Sequence, residues 1–139
     1  MQHTTQTWNN NLSKLVQHCL EQGIKLTFSP GKDDEYDTDE KTITINSRRT
    51  KENQFYILLH ELGHHKIFLD EKLAKKFQPV NTDVYPQTLT KQMLLVEEEI
   101  MAWNLGEDLA VSLGMELPKK FHILRARCLK THIRWHTKI

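Results

Sequence analysis

TITINSRRTKENQFYILLHELGHH, residues 42–65, changes its hydrophobic period half-way along. Thr42–Asn46 alternates β-branched and polar residues, which is the period of a strand with one buried face. Thr50 then suits a helix N-cap, with Glu52 in the first turn where a negative charge is favoured. From Gln54 the spacing predicts a helix to about Phe68. Phe55, Leu58, Leu59 and Leu62 form its apolar stripe, and Tyr56, His60, Gly63 and His64 share an adjoining face. A strand followed by a buried helix that carries two histidines and a glutamate is the feature to explain.

Upstream, Leu12, Leu15, Val16, Cys19 and Leu20 recur at helical spacing within residues 10–22, and Gly23 is a natural stop. Residues 24–28 alternate as a strand, broken by Ser29-Pro30-Gly31. Residues 35–37 suit a short strand and residues 38–41 a turn. Together with Thr42–Asn46 these predict a three-stranded antiparallel meander. Downstream, residues 70–78 suit a short helix and residues 81–87, which contain Pro86, a loop. Residues 90–113 suit a long helix closed by Gly114. Pro118 suits the first turn of a last helix reaching about residue 136. The order predicts an α+β fold, a small antiparallel sheet packed on helices, in one domain over residues 1–139.

A chain of 139 residues suits one core, and 38% hydrophobic with 27% charged residues is ordinary globular composition. The net charge of +1 names no partner. No run is apolar enough to span a membrane, and MQHTTQTWNNN lacks the basic start and apolar stretch of a secretory signal. A cytoplasmic location is therefore expected. Cys19 and Cys128, neither in a CxxC pair, are expected to be reduced thiols. The acidic residues between Asp33 and Glu40 lack calcium-loop spacing and read as a solvated hairpin tip. Lys119, Lys120, Arg125, Arg127, Lys130, Arg134 and Lys138 make the C-terminus basic. Phe121, Leu124, Cys128 and Trp135 on one side predict that its helix docks on the core with its charges solvated. His132 and His136 are four apart, with no acidic or third histidine partner near in sequence.

On a helix, residues four apart lie on one face, so His60 and His64 can bind one Zn2+ without distorting the backbone. Zinc brings the pKa of water towards neutrality, and Glu61 stands beside it to take the proton as general base. Ionisable groups at the edge of a buried stripe are costly unless paired or metal-bound. Gly63 costs helix propensity, which a strand or substrate passing close by would explain. His65 lies on another side and reads as a polar surface residue. A catalytic zinc site takes three protein ligands. No histidine follows at short spacing, and the carboxylates available are Glu97, Glu98 and Glu99. One stripe runs Leu95, Glu99, Ala102, Gly106, Leu109, with small residues that allow close helix approach. Another runs Leu94, Glu98, Met101, Leu105, Asp108. The pattern alone leaves both open.

HELGH preceded by TITIN and FYILL, and followed by a Glu-x-x-Ala helix, resembles the ImmA/IrrE-type metallopeptidases of the gluzincin group, over residues 24–113. The resemblance implies a zincin-like fold and a third zinc ligand three residues before a small residue, usually Ala and commonly followed by Asn. Here that is Glu99 before Ala102, with Trp103 where Asn is common. It therefore implies Zn2+ held by His60, His64 and Glu99, with Glu61 as the catalytic base. It also implies that Thr42–Asn46 is an edge strand able to hold an extended peptide substrate, the other reading being plain structural pairing inside the sheet. The implied activity is that of a regulatory protease cleaving a repressor-like protein in phage or mobile-element settings, without nucleic acid as a partner. Tyr36, Tyr56, Tyr85 and His65 are candidates for the oxyanion donor, and residues 70–87 for a lid. The competing class is a non-catalytic module that keeps the metal for stability and binds protein or nucleic acid through its basic C-terminal helix.

Overall fold

A computed structural model describes residues 4–78 and 88–136, with side chains to Arg134. The elements run α1 (Thr5–Glu21), β1 (Lys25–Ser29), β2 (Glu35–Asp37), β3 (Thr42–Asn46), α2 (Lys51–Leu69), α3 (Glu71–Phe77), α4 (Leu89–Ser112) and α5 (Lys119–His136). The class is α+β: five helices and one small mixed sheet. The residues fall into two compact units, Met1–Leu62 and Gly63–Ile139, and α2 runs from the first into the second. No helix among the described residues is long and apolar enough to cross a membrane. The expected loop at residues 81–87, with Tyr85 and half of the expected lid, lies outside the described residues.

In the first unit, α1 begins at Thr5, capped by the Thr4 hydroxyl, which accepts from the Thr7 N–H at 3.2 Å. The sequence predicts a start near residue 10, because the opening turn is almost wholly polar. Its single large apolar residue, Trp8, is buried, 5.5 Å from the Phe55 ring and edge-on to Tyr56 at 5.3 Å. The helix ends at Gly23, whose φ of +69° suits a residue without a Cβ.

The sheet differs from the expected meander. Its order is β1-β3-β2, with β1 parallel to β3 and β2 antiparallel to β3. Burial explains the order: Ile43 and Ile45 of β3 are fully buried, so β3 takes the position with neighbours on both sides. β2 is three residues long with acids at either end, a composition suited to an edge. Thr42–Asn46 is therefore the central strand, and the expected role as a peptide-holding edge does not survive. The turn from sheet to α2 is fixed by polar contacts. Asp34 accepts from the Asn46 N–H at 2.8 Å and from Arg49 Nε at 2.9 Å. The Gln54 amide donates to the Ser47 and Arg49 carbonyls. Thr50 caps α2 as expected, accepting from the Asn53 N–H. The acidic tip is exposed, with Asp37 accepting from the Asp39 and Glu40 N–H groups.

In the second unit, Asp70 caps α3 and Thr88 caps α4 through their side-chain oxygens. Ile67, Phe77 and Ala102 form a buried cluster, with Leu73, Leu94, Met101 and Leu105 packed against it. α5 packs on α4 through Trp103 and Phe121, whose rings lie 5.7 Å apart, and through a 3.0 Å contact between Arg125 and Glu107. Phe121 is buried and Leu124 and Cys128 half-buried, as expected of the docked side, while the Trp135 side chain lies outside the described residues. Trp103, at the position where the resembled family commonly has Asn, is fully buried and serves this helix pair.

Candidate metal centre

α2 is buried along residues 54–63, on every side of the helix. It is into this interior that the sequence puts His60 and Glu61, both buried. One turn of the helix brings His60, Glu61 and His64 together, so that one potential ligand atom from each lies within 4.8 Å of the others. The group could hold a metal ion. Its donors are two imidazoles and a carboxylate, a set that fits a divalent cation of intermediate softness. The Nδ1 of His60 lies 3.4 Å from the Glu61 carboxylate, which orients that ring.

His64 is half-buried and stands between two carboxylates of α4. Its Nε2 is 3.1 Å from Glu99 Oε1 and its Nδ1 is 3.5 Å from Glu98 Oε1. Two of the three consecutive glutamates thus reach this histidine. Glu97 does not: it pairs with Lys76 at 2.8 Å with both side chains about half exposed, a contact of small energetic weight. Burial separates the two open stripes of α4. Beneath Glu99, Ala102, Gly106 and Leu109 are buried, whereas beneath Glu98, Met101 and Leu105 are half-buried and Asp108 is exposed. Asp70, a further carboxylate nearby in sequence, is used as a helix cap.

Gly63 sets this register. A Cβ built on it would lie 1.8 Å from the Ala102 carbonyl oxygen, closer than any real contact. The close neighbour that Gly63 calls for is therefore the backbone of α4, not a strand or a substrate. Glu99 is one turn before Ala102 and His64 is next to Gly63. The approach of the two backbones thereby fixes which carboxylate meets which ring nitrogen.

Two residues differ from expectation. His65 is not a surface residue; it is 1% exposed. His132, on α5, places its Nε2 3.4 Å from Glu99 Oε2. The signal for it was present in the sequence. Phe121, Leu124 and Cys128 step along the docked side of α5, and the next slot at that spacing is residue 132. The other oxyanion candidates divide. Tyr36 is on the edge strand β2, its phenol pushed up by burial and then by Asp37. Tyr56, four residues before His60, is pushed up by burial and then by Glu52, so its phenol remains protonated. Neither Cys19 nor Cys128 is in a disulfide, and burial pushes the Cys19 thiol up to about 12. The chain, compared with protein-family models, with curated proteins and with solved structures, matches none of them.

Proposed function

We propose that this chain is a zinc-dependent peptidase in which His60, His64 and Glu99 hold the metal and Glu61 is the general base. The observation that carries it is the convergence of His60, Glu61 and His64 on one turn of a buried helix. Ionisable groups buried there cost stability unless a charge offsets them, and a cation does so. Zn2+, when bound, supplies Lewis acidity that acidifies a water and polarises a carbonyl. The protein's own part is done by two sets of side chains. The ligands orient the ion, and Glu61 takes a proton from the attacking water and returns it to the departing amine. A zincin-like fold and a repressor-like protein as substrate rest on the resemblance of HELGH and its flanks to the ImmA/IrrE-type enzymes.

Glu61→Gln keeps the shape of the side chain and removes its basicity. The variant should bind Zn2+ as the wild type does, by elemental analysis, and lose peptide hydrolysis by about 10²- to 10⁴-fold. His60→Ala should lose the metal itself. The assay pairs a peptide library with repressor proteins of the same cell, since a narrow protease ignores generic peptides. Biological activity retained by metal-loaded Glu61→Gln, with hydrolysis lost, overturns the enzyme and favours a metal-stabilised interaction module; hydrolysis retained would displace Glu61 as the base. For such a module the exposed Lys119, Arg127, Lys130 and Arg134 of α5 are the surface to examine.

A further inference from the structure

We infer that His132 is a positioning residue of the metal centre, holding the oxygen of Glu99 that faces away from His64. The inference rests on Glu99 being a ligand, as proposed above. The geometry assigns each oxygen of that carboxylate a separate partner. Oε1 is 3.1 Å from His64 Nε2, and Oε2 is 3.4 Å from His132 Nε2. The Glu99 side chain is only 13% exposed, so water has little access to either oxygen. A carboxylate held at one oxygen by an imidazole N–H is oriented so that the other faces a cation. The three side chains come from three helices, with His64 on α2, Glu99 on α4 and His132 on α5. The contacts that dock α5 on α4, Trp103 with Phe121 and Arg125 with Glu107, also hold His132 in reach.

The same geometry gives the paired glutamates distinct roles. When His64 offers Nε2 to a metal, its Nδ1 carries the proton and needs an acceptor, and Glu98 is the carboxylate beside it. Glu98 thus orients the imidazole ligand as His132 orients the carboxylate ligand. The last helix becomes part of the centre, although its contribution is separated from HELGH by most of the second unit.

The test compares His132→Ala, His132→Gln and His132→Asn in the full chain. Affinity for Zn2+ is measured by competition with a chromogenic chelator, and ligand geometry by the visible spectrum of the Co2+-loaded protein. Loss of an outer partner weakens metal binding by about 10- to 100-fold, so His132→Ala should fall in that range. Gln carries an N–H to nearly the same place and should restore most of the affinity; Asn is too short and should behave as Ala. The Co2+ band shape should stay that of the wild type throughout. In a Glu99→Ala background, His132→Ala should add no further loss, because the partner it holds is gone. A wild type that loads metal, with His132→Ala unchanged in affinity, overturns the inference alone. So do Gln and Asn variants that behave alike, or a changed Co2+ spectrum, which would make His132 a ligand. A wild type that takes up neither Zn2+ nor Co2+ removes the metal centre and this inference together.

Discussion

The two units differ in what their interiors are made of. The first encloses Trp8, Leu15, Cys19, Ile43, Ile45, Phe55 and Tyr56, with aromatic rings in mutual contact and a sheet sealed by β-branched residues. The second has a smaller apolar cluster around Ile67, Phe77 and Ala102, and spends part of its packing on carboxylate–imidazole contacts at His64, Glu98, Glu99 and His132. Apolar burial stabilises without regard to direction, whereas contacts of the second kind matter by placing charges. Stability and metal chemistry should therefore respond to different substitutions.

Trp8→Ala should give the largest stability effect. It removes a buried indole from two ring contacts, and such truncations cost about 3–5 kcal/mol. Urea unfolding checks the loss. Zn2+ affinity, measured where the variant is still folded, should change by no more than about threefold, since every proposed ligand is kept. A large loss of affinity would erase the distinction between the two interiors.

Gly63→Ala should do the reverse. The new methyl has to push the Ala102 carbonyl away, and overpacking of this kind costs about 1–3 kcal/mol. About 1 kcal/mol of that is returned by the better helix propensity of Ala. The methyl meets backbone rather than a side chain that could turn aside, so a net loss of about 2 kcal/mol remains in urea unfolding. The shift of α4 moves Glu98 and Glu99 away from His64, and Zn2+ affinity should fall by about 10- to 100-fold. Wild-type affinity in a folded Gly63→Ala protein would show that the close approach does not set the site.

The same contrast explains what the sequence disclosed. β3, α2 and the HELGH turn were legible because period and capping are local, and Thr50 and Pro118 mark real helix starts. Strand order was not. Nothing in Glu35-Tyr36-Asp37 says whether it pairs with β1 or β3, and only the burial of both isoleucines sends β3 to the centre. His65 misled because periodicity sets it off the apolar stripe, and the burial of α2 reaches beyond that stripe. The tie between Gly63 and Ala102 was half legible: each small residue signalled a close approach, but neither named the other. Spacing could put His132 on the docked side of α5, but nothing local named Glu99 as its partner.

The smallest effect sharpens the comparison through pH. Cys19, Tyr36 and Tyr56, all in the first unit, have acidities weakened by burial, and Cys19 moves furthest in terms that a titration can follow, from 9.0 to about 12. Its thiol stays protonated in the folded chain while the unfolded chain ionises near 9. Above that pH the unfolded state binds fewer protons, so stability falls as pH rises and stops falling near 12. Between pH 8 and pH 10 the loss attributable to Cys19 is about 1 kcal/mol, since one unit of pH beyond the unfolded value is worth about 1.4 kcal/mol at most. Cys19→Ala removes the titration at the cost of a small cavity that does not vary with pH. Its urea midpoint should therefore start lower at pH 8 and decline less steeply towards pH 10 than that of the wild type. Equal slopes in the two proteins would mean that the buried thiol does not govern the alkaline response, and that the first interior is wetter around α1 than its packing implies.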